Sequence, residues 1–564
     1  MSVETTPSAN PWLQEPAYKV PRHPAQCDLI LDGNEGRPPN NLLMNALQST
    51  TAEDIRRYPS TAPLERKIAH IHGILPEQVL VTAGADDGLQ RVCRAYLSPK
   101  RNLVLPAPSF AMIPRFAQWC NAPIKTVPWD DVDYPLEATL SAINEQTGIV
   151  AVVSPNNPTG GVATRTELHA LSAAAPQAII MLDCAYAEFA DEDLTEVAMS
   201  LPNVLVFRTF SKAWGLAGLR VGYVIGHSTH IQQLRQVGLP YPCSAPTLKM
   251  ADCAVEQPFP SEFVKQVKKE RRVLETLLSD TGWKIRPSQG NFVYGEGGDS
   301  LWWRDALAGL GIAIRAWPND RTLGRSIRVS CPGDVQENHR LLHAIRTVAE
   351  PEAILFDIDG VLIDVRDSYR TAILQTAAHF GLEATHEDIE DIKRKGNANN
   401  DWQVTQMLLA KHQVHIDIDA IREIFDGLYY DGLWKKERLI GSIEQLTALA
   451  TKIPLAAVTG RPRKDYTLAA KHFGFDEIFK GAICMEDAPI KPSPEPVKMA
   501  LELLGVSRAW MLGDTADDIQ AARQASVLPI GIQCMPDKTD HLRMVGASEV
   551  WTDWTQIFQK QFER

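Results

Sequence analysis

Three stretches of this chain carry side chains whose types and neighbours could do covalent chemistry. Residues 208–220 read Arg-Thr-Phe-Ser-Lys-Ala-Trp-Gly-Leu-Ala-Gly-Leu-Arg, with one lysine, Lys212, among small and hydroxyl residues. With Ser211 beside it and Arg220 in reach, Lys212 stands in cationic, partly dehydrated surroundings, and both effects favour the neutral amine that condenses with a carbonyl. Residues 179–186 read Ile-Ile-Met-Leu-Asp-Cys-Ala-Tyr. A carboxylate directly after an apolar run is costly unless it meets a cation, so Asp183 calls for one. Residues 353–362 read Ala-Ile-Leu-Phe-Asp-Ile-Asp-Gly-Val-Leu. Asp357 and Asp359, two apart at a predicted strand end, let one carboxylate attack phosphorus while the other protonates the leaving oxygen. Thr459 after a later strand, Lys491 before a proline, and the acidic loop Asp514–Asp518 follow in that order.

The elements that must hold these groups are legible as short apolar runs ending in breakers. Val79–Thr82 predicts a strand, and Ala83-Gly84-Ala85-Asp86-Asp87-Gly88 then opens a helix whose free N–H groups suit a phosphate. Leu103–Leu105 delivers Phe110, Ile149–Val153 delivers Asn157 in a turn of Pro and Asn, and Val204–Phe207 delivers Thr209, Ser211 and Lys212. Strands alternating with helices predict an α/β fold with a largely parallel sheet and its sites at strand ends. A long amphipathic pattern at Phe263–Leu278 leads into a smaller α+β region, where Arg315 and Arg328 lie on apolar strand patterns. Each needs an internal carboxylate or an anionic substrate to offset its burial. A second domain begins near Pro351. The hundred or so residues between Asp359 and Thr459 have helical periodicity, which suggests an inserted helical cap.

The Lys212 segment resembles the cofactor-lysine segment of fold type I pyridoxal-phosphate aminotransferases, most closely the histidinol-phosphate aminotransferases, and the other segments stand in that family's order. The resemblance implies that Lys212 binds pyridoxal 5'-phosphate covalently and that Asp183 keeps the pyridine nitrogen protonated. Asn157 and Tyr186 would bond the ring oxygen, and Phe110 would stack on the ring. Ala85, Asp86, Thr209, Ser211 and Arg220 would cup the phosphate. It further implies that Tyr58 in Arg57-Tyr58-Pro59 reaches the partner subunit's cofactor, making a homodimer, that Asn34 lies near the substrate, and that Arg328, with Arg315, grips an anionic group. Phe110 stands where the family usually has tyrosine, and Cys184 where it has glutamate. From 351 onward the chain resembles the haloacid-dehalogenase superfamily of phosphatases. This implies Asp357 as nucleophile and Mg²⁺ ligand, and Asp359 as acid/base with its backbone carbonyl on the metal. Thr459 and Lys491 would bind phosphoryl oxygens, and Asp514 would be a metal ligand supported by Asp518. The polar cluster Lys395–Trp402 in the cap is either a plain helix-breaking loop or, as caps of this kind choose the substrate, a substrate contact. The cap, and the lack of a cysteine cluster, set this half apart from the capless, zinc-carrying phosphatase domain joined to dehydratases of the histidine pathway.

At 564 residues and 45% hydrophobic content the chain predicts several domains. The expected division is an aminotransferase over 1–350, with a large domain at about 41–245 and a small domain at about 246–350 that includes the N-terminal arm. A Rossmannoid hydrolase follows over 351–564, with its core at 351–366 and 440–564 and its cap at about 367–439. The net charge of −12, without a long basic run, argues against nucleic acid and for small-molecule substrates. Nine scattered cysteines read as reduced packing residues, and a start without a basic or apolar leader predicts a cytoplasmic protein. Amino transfer from glutamate would yield histidinol phosphate, a phosphate monoester, which the second domain would hydrolyse. The alternative is an aminotransferase for another amino-acid or phosphorylated substrate, joined to a phosphatase of unrelated specificity.

Overall fold

The computed structural model describes residues 8–13, 16–393, 400–533 and 539–562. Strand β1 (Leu29–Leu31) precedes β2 (Val79–Thr82), β3 (Asn102–Ala107), β4 (Ile124–Pro128), β5 (Thr147–Val153), β6 (Ile179–Asp183), β7 (Val204–Thr209) and β8 (Gly222–Gly226). From β2 to β8 they make a seven-stranded sheet in the order β2-β8-β7-β6-β5-β3-β4, parallel except for β8. Alternate residues go to opposite faces. Val150 and Val152 of β5 join one hydrophobic core, and Ile149, Ala151 and Val153 join the other. Because both faces are covered, these strands are continuous apolar runs, and the register aligns Val153 with Asp183 and Asp183 with Phe207. Asn157, Asp183 and Thr209 therefore emerge from three neighbouring strand ends.

Strands β9 (Lys284–Arg286), β10 (Phe292–Glu296), β11 (Ile312–Ala316) and β12 (Ser326–Ser330) join β1 in a five-stranded sheet, ordered β1-β11-β12-β10-β9. Antiparallel pairing sets Arg315 opposite Arg328. The predicted amphipathic helix runs Ser261–Asp280 and buries Phe263, Val264, Val267, Leu274 and Leu278.

The remaining strands are β13 (Ala353–Phe356), β14 (Ile363–Asp364), β15 (Arg438–Leu439), β16 (Leu455–Val458), β17 (Ala482–Ile483), β18 (Ala509–Gly513), β19 (Leu528–Ile532) and β20 (Val550–Trp551). Six of them form a parallel sheet in the order β17-β16-β13-β18-β19-β20. The antiparallel pair β14 and β15 carries the chain out to helices Tyr369–His379, His386–Lys393, Asp401–Lys411 and Ile418–Tyr430 and back again.

The chain divides into two compact units, one of residues 1–21, 31–300 and 314–338, the other of residues 22–30, 301–313 and 339–564. This is not a single cut near 350. In the second unit the indole Nε1 of buried Trp510 donates to the Thr347 carbonyl at 2.7 Å, and the Trp510 ring packs 5.4 Å from that of Trp302. These contacts hold segments 301–313 and 339–350 to the C-terminal sheet.

Candidate active sites

In the first unit Lys212 leaves the end of β7 with its Nζ donating to the Gly33 carbonyl at 2.9 Å, 5.5 Å from the Tyr186 ring centroid. The Tyr186 hydroxyl accepts from Asn34 Nδ2 at 3.0 Å and from Asn157 Nδ2 at 3.4 Å. Arg328 donates to Asn157 Oδ1 at 2.5 Å and to the Asp32 carbonyl at 2.6 Å. Asp183 is buried, accepts from the Ala185 amide at 3.0 Å, and has its pKa lifted by burial to about 7. No cation pairs with it among the described residues. Thr209 Oγ1 and Ser211 Oγ lie 2.9 Å apart, and the Ser211 amide donates to Thr209 Oγ1.

Arg220 has a left-handed backbone, φ 51°, and pairs with Asp86 at 2.7 Å in a half-exposed contact. Such a pair contributes little by itself, so an incoming phosphate can displace it. Asp86 lies in the first turn of helix Gly84–Tyr96, and Gly84 itself takes a left-handed backbone, φ 78°, which favours glycine there. A buried carboxylate lacking a cation, a lysine, a hydroxyl pair and an arginine at a helix start form the donor set that a protonated pyridine with an aldehyde and a phosphate would satisfy. Pyridoxal phosphate fits these residues.

Arg315 and Arg328 are buried, and no carboxylate pairs with either among the described residues. Arg315 donates to the Tyr18 hydroxyl at 3.3 Å and lies against the Tyr18 and Trp317 rings, while Arg328 lies against Phe292 and Trp317. Among the described residues Arg315 NH1 and Arg328 Nε have no hydrogen-bond partner. No carboxylate bonds to either guanidinium among the described residues, although the charge of Asp32 acts on Arg328, and paired guanidiniums so enclosed favour an anion.

In the second unit Asp357, Asp514 and Thr459 follow β13, β18 and β16, which are neighbours in the sheet. Lys491 Nζ donates to Asp357 Oδ1 at 2.8 Å and to the Val458 carbonyl at 3.0 Å, and it also contacts Asp518. Carboxylate oxygens of Asp357, Asp514 and Asp518 lie within 4.8 Å of one another. Asp518 gets its place from a capping box at the start of helix Ala516–Gln524, in which its Oδ2 accepts from the Thr515 amide at 3.1 Å and its amide donates to Thr515 Oγ1 at 3.2 Å. Burial pushes the Asp357 carboxyl up, and the Lys491 ammonium bonded to it pulls the other way. Burial works against the Lys491 ammonium, but Asp357 and Asp518 outweigh it and hold it charged. Three carboxylates around one ammonium leave net negative charge, which a divalent cation fits. A Cβ on Gly360, φ 78°, would fall 2.1 Å from Asp514 Oδ2, so only glycine lets the loop carrying Asp359 pass there.

The Asp359 side chain lies outside that carboxylate group. Arg461 donates to its Oδ1 from Nε at 2.7 Å and to Glu437 Oε2 from NH1 at 3.1 Å. The Asp359 side chain therefore adds no oxygen to this carboxylate group, whose third member is Asp518.

Contacts join Lys212, Tyr186, Asn34, Asn157 and Arg328 in one group, with Asp183 at a neighbouring strand end and Arg315 paired opposite Arg328 in the five-stranded sheet. Phe110 packs against a core at the end of β3, and Ala85 is buried at the helix start. Tyr58 is 81% exposed and stacks on Tyr241 at 4.5 Å, so within one chain its ring does not join this group. Residues 395–399 of the expected cap cluster lie outside the described residues. Tyr18, Trp317 and Arg461 were not anticipated. Arg461 alone gave a signal, as a charged residue closely following a buried strand.

Two enzyme architectures stand in one polypeptide, a lysine-centred α/β fold and a carboxylate-centred parallel sheet with a helical cap. Residues 30–345 match aminotransferase class I and II, and residues 351–526 match the haloacid dehalogenase-like hydrolases. The chain belongs to the class I and II aminotransferases and carries a haloacid dehalogenase-like hydrolase domain behind that fold. A histidinol-phosphate aminotransferase of Geobacillus sp. (strain WCH70) is 32% identical over 301 residues, covering 52% of this chain and 81% of that protein. An imidazoleglycerol-phosphate dehydratase of Phytophthora nicotianae is 42% identical over 194 residues, covering 32% of this chain and only 43% of that protein. The crystal structure of histidinol-phosphate aminotransferase from Sinorhizobium meliloti in complex with pyridoxal-5'-phosphate shares the fold, with a TM-score of 0.56 and 24% identity, over 62% of this chain and 100% of that one.

Proposed function

We propose that the chain performs two consecutive steps, amino transfer from glutamate to imidazole acetol phosphate and hydrolysis of the resulting histidinol phosphate. The observation that carries this reading is the joining of the two sites, since the compound named in the first domain's relatives is a phosphate monoester and the second domain has a phosphatase donor set. A relative named for imidazoleglycerol phosphate adds a second imidazole-bearing phosphate ester.

Bound pyridoxal phosphate supplies the electron sink for the amino-bearing carbon. Asp183 holds the proton on the ring nitrogen, Lys212 Nζ moves the proton at that carbon, and Tyr186 with Asn157 fixes the ring oxygen. Arg315 and Arg328 hold the substrate's anionic group and keep it oriented. In the second site the Asp357 carboxylate attacks phosphorus as the ester bond breaks, and Asp359 gives the leaving oxygen its proton. Asp359 then takes a proton from the water that cleaves the aspartyl phosphate, which releases phosphate and restores Asp357. Lys491 and Thr459 hold the phosphoryl oxygens, and Asp357, Asp514 and Asp518 would hold Mg²⁺ against their charge.

Tyr58 is read as reaching the partner subunit's cofactor in a homodimer. Free cysteines throughout the described residues support a cytoplasmic location, and no helix among the described residues is long and apolar enough to cross a membrane.

The test supplies full-length protein with imidazole acetol phosphate, glutamate and Mg²⁺, and follows 2-oxoglutarate and free phosphate. Both should form, with phosphate release stopped by chelator. Asp357→Asn should abolish phosphate release, leave 2-oxoglutarate formation running and let histidinol phosphate accumulate. Amino transfer to other oxo acids, or hydrolysis of generic esters with histidinol phosphate untouched, would establish the unrelated-specificity alternative instead.

A further inference from the structure

Arg208 stands near the end of β7, on the face of the strand whose other residues, Val204 and Val206, join a hydrophobic core of the sheet. A charge in that place is costly, yet Arg208 is only 7% exposed. Its guanidinium reaches the chain that leaves the neighbouring strand β6. NH2 donates to Glu188 Oε1 at 2.9 Å, and NH1 donates to Asp193 Oδ2 at 2.7 Å and to Thr195 Oγ1 at 2.8 Å. Just before this point the Cys184 amide donates to the Phe207 carbonyl at 2.9 Å, at the end of the pairing of β6 with β7. Glu188 lies in the short turn Ala187–Phe189 that follows Tyr186, and the Phe189 amide bonds back to the Tyr186 carbonyl at 3.0 Å. One buried ion pair therefore links the segment that leads to Lys212 with the turn that carries Tyr186.

This pair is a poor source of stability. Glu188 Oε2 and Arg208 Nε are buried and have no hydrogen-bond partner among the described residues. Apolar side chains of similar volume would serve the core as well or better. What the ion pair adds is direction, because a guanidinium fork fixes the group it holds more narrowly than apolar contact does. The group to be fixed is the Tyr186 hydroxyl, which accepts from Asn34 and Asn157 and so has its own hydrogen left to donate.

We infer that Arg208 and Glu188 are positioning residues for amino transfer, holding Tyr186 where its hydroxyl donates to the ring oxygen of pyridoxal phosphate bound at Lys212. The inference rests on the reading of Lys212 and Tyr186 as cofactor residues, and it names what keeps them in register. Both residues act through Tyr186 and the Lys212 segment.

The test loads the full-length protein with pyridoxal phosphate and reads the pH midpoint of the visible band of the lysine-bound cofactor, kcat and KM for glutamate, and the melting temperature. A hydroxyl donating to the ring oxygen favours its ionised form and lowers that midpoint. Glu188→Gln keeps the shape and removes the charge. Its midpoint should rise by about one pH unit, and its kcat should fall about tenfold or more while KM changes less than about threefold. Arg208→Lys keeps the charge and loses the fork, and should shift both readings in the same direction by a smaller amount. Glu65→Gln is the control for stability alone, since Glu65 is also buried and pairs with Arg235 at 3.0 Å from helix Ala62–His72. That variant should melt lower with midpoint and kcat unchanged. A Glu188→Gln protein that melts lower but keeps the parent's midpoint and kcat overturns the inference, as does an equal midpoint shift in Glu65→Gln. If Glu188→Gln does not fold, an unshifted Arg208→Lys overturns it. A parent protein that gains no visible band with pyridoxal phosphate removes the cofactor reading and the inference with it, whereas a parent with the band and variants without the shift remove the inference alone.

Discussion

Asp183 closes a strand of otherwise apolar residues, and burial lifts its pKa from the ordinary 3.8 to about 7. The sign of the linkage follows. A carboxyl whose folded pKa is raised contributes stability in full below pH 4, and loses it as pH rises through 7, because the buried site then disfavours the charge. Without cofactor, Asp183→Asn should therefore unfold at higher temperature than the parent at pH 8, by an amount on the order of a few kcal/mol, and the difference should shrink by pH 5. Equal melting temperatures at both pH values would mean that the carboxylate is already compensated. With cofactor the same variant should lose amino-transfer kcat by about a hundredfold or more, because a neutral amide cannot hold the ring proton. Lys212→Ala should remove the visible absorbance of lysine-bound pyridoxal phosphate and leave phosphate release intact. A retained band would assign the bond to another lysine. Lys212 and Asp183 were legible because each stands in a short motif after an apolar run. Tyr18 was not, since its contact with Arg315 joins positions almost 300 residues apart and leaves no local pattern.

The strands themselves were readable as apolar runs, and their adjacency follows from right-handed parallel connections that place successive ends side by side. What periodicity does not encode is how the inserted helices are tied to the sheet they leave. Tyr369 starts the first cap helix and Glu437 precedes the return strand β15, and both meet Arg461, whose guanidinium lies 5.0 Å from the Tyr369 ring centroid. Tyr369 and Tyr429 stack at 4.6 Å, and Glu437 accepts from the Tyr429 hydroxyl at 2.9 Å and from Ser368 Oγ at 3.1 Å. One arginine thus ties Asp359 to both cap crossings. Arg461→Met leaves the buried Glu437 and the partly exposed Asp359 without a cation and should cost about 3 kcal/mol, read as a lower urea midpoint for loss of phosphatase activity. Arg461→Lys should recover less than half of that, because an ammonium cannot reproduce the fork to both acids. Full recovery by lysine would show that charge alone holds the cap crossings, without the directed hydrogen bonds.

At the scale of the whole chain, the family matches part at residues 345 and 351, yet the second compact unit reaches back to include 22–30, 301–313 and 339–350. The sequence marks Pro351 as a boundary because a proline and a new apolar run follow a helix. It gives no sign that Trp510, on β18, needs cover from upstream. That ring is fully buried, donates to the Thr347 carbonyl and packs on Trp302, while Asp305, also buried, accepts from Arg543 at 2.8 Å. A chain beginning at Pro351 would uncover the indole and leave its N–H without that partner. Uncovering about 100 Å² of apolar surface costs roughly 2–3 kcal/mol, and the lost hydrogen bond adds about 1 kcal/mol. The truncated hydrolase should therefore melt well below the corresponding transition of the full chain, with Trp510 fluorescence already shifted to the red in the native state. Starting the chain at Val335 instead restores the helix carrying Thr347 and should regain part of the loss. In the intact chain, Trp510→Phe should lower that transition by removing only the N–H and part of the ring. If the chain from Pro351 melts with the full-length transition and its indole stays blue-shifted, the upstream segments merely rest on the hydrolase, and the unit ends where the family match does.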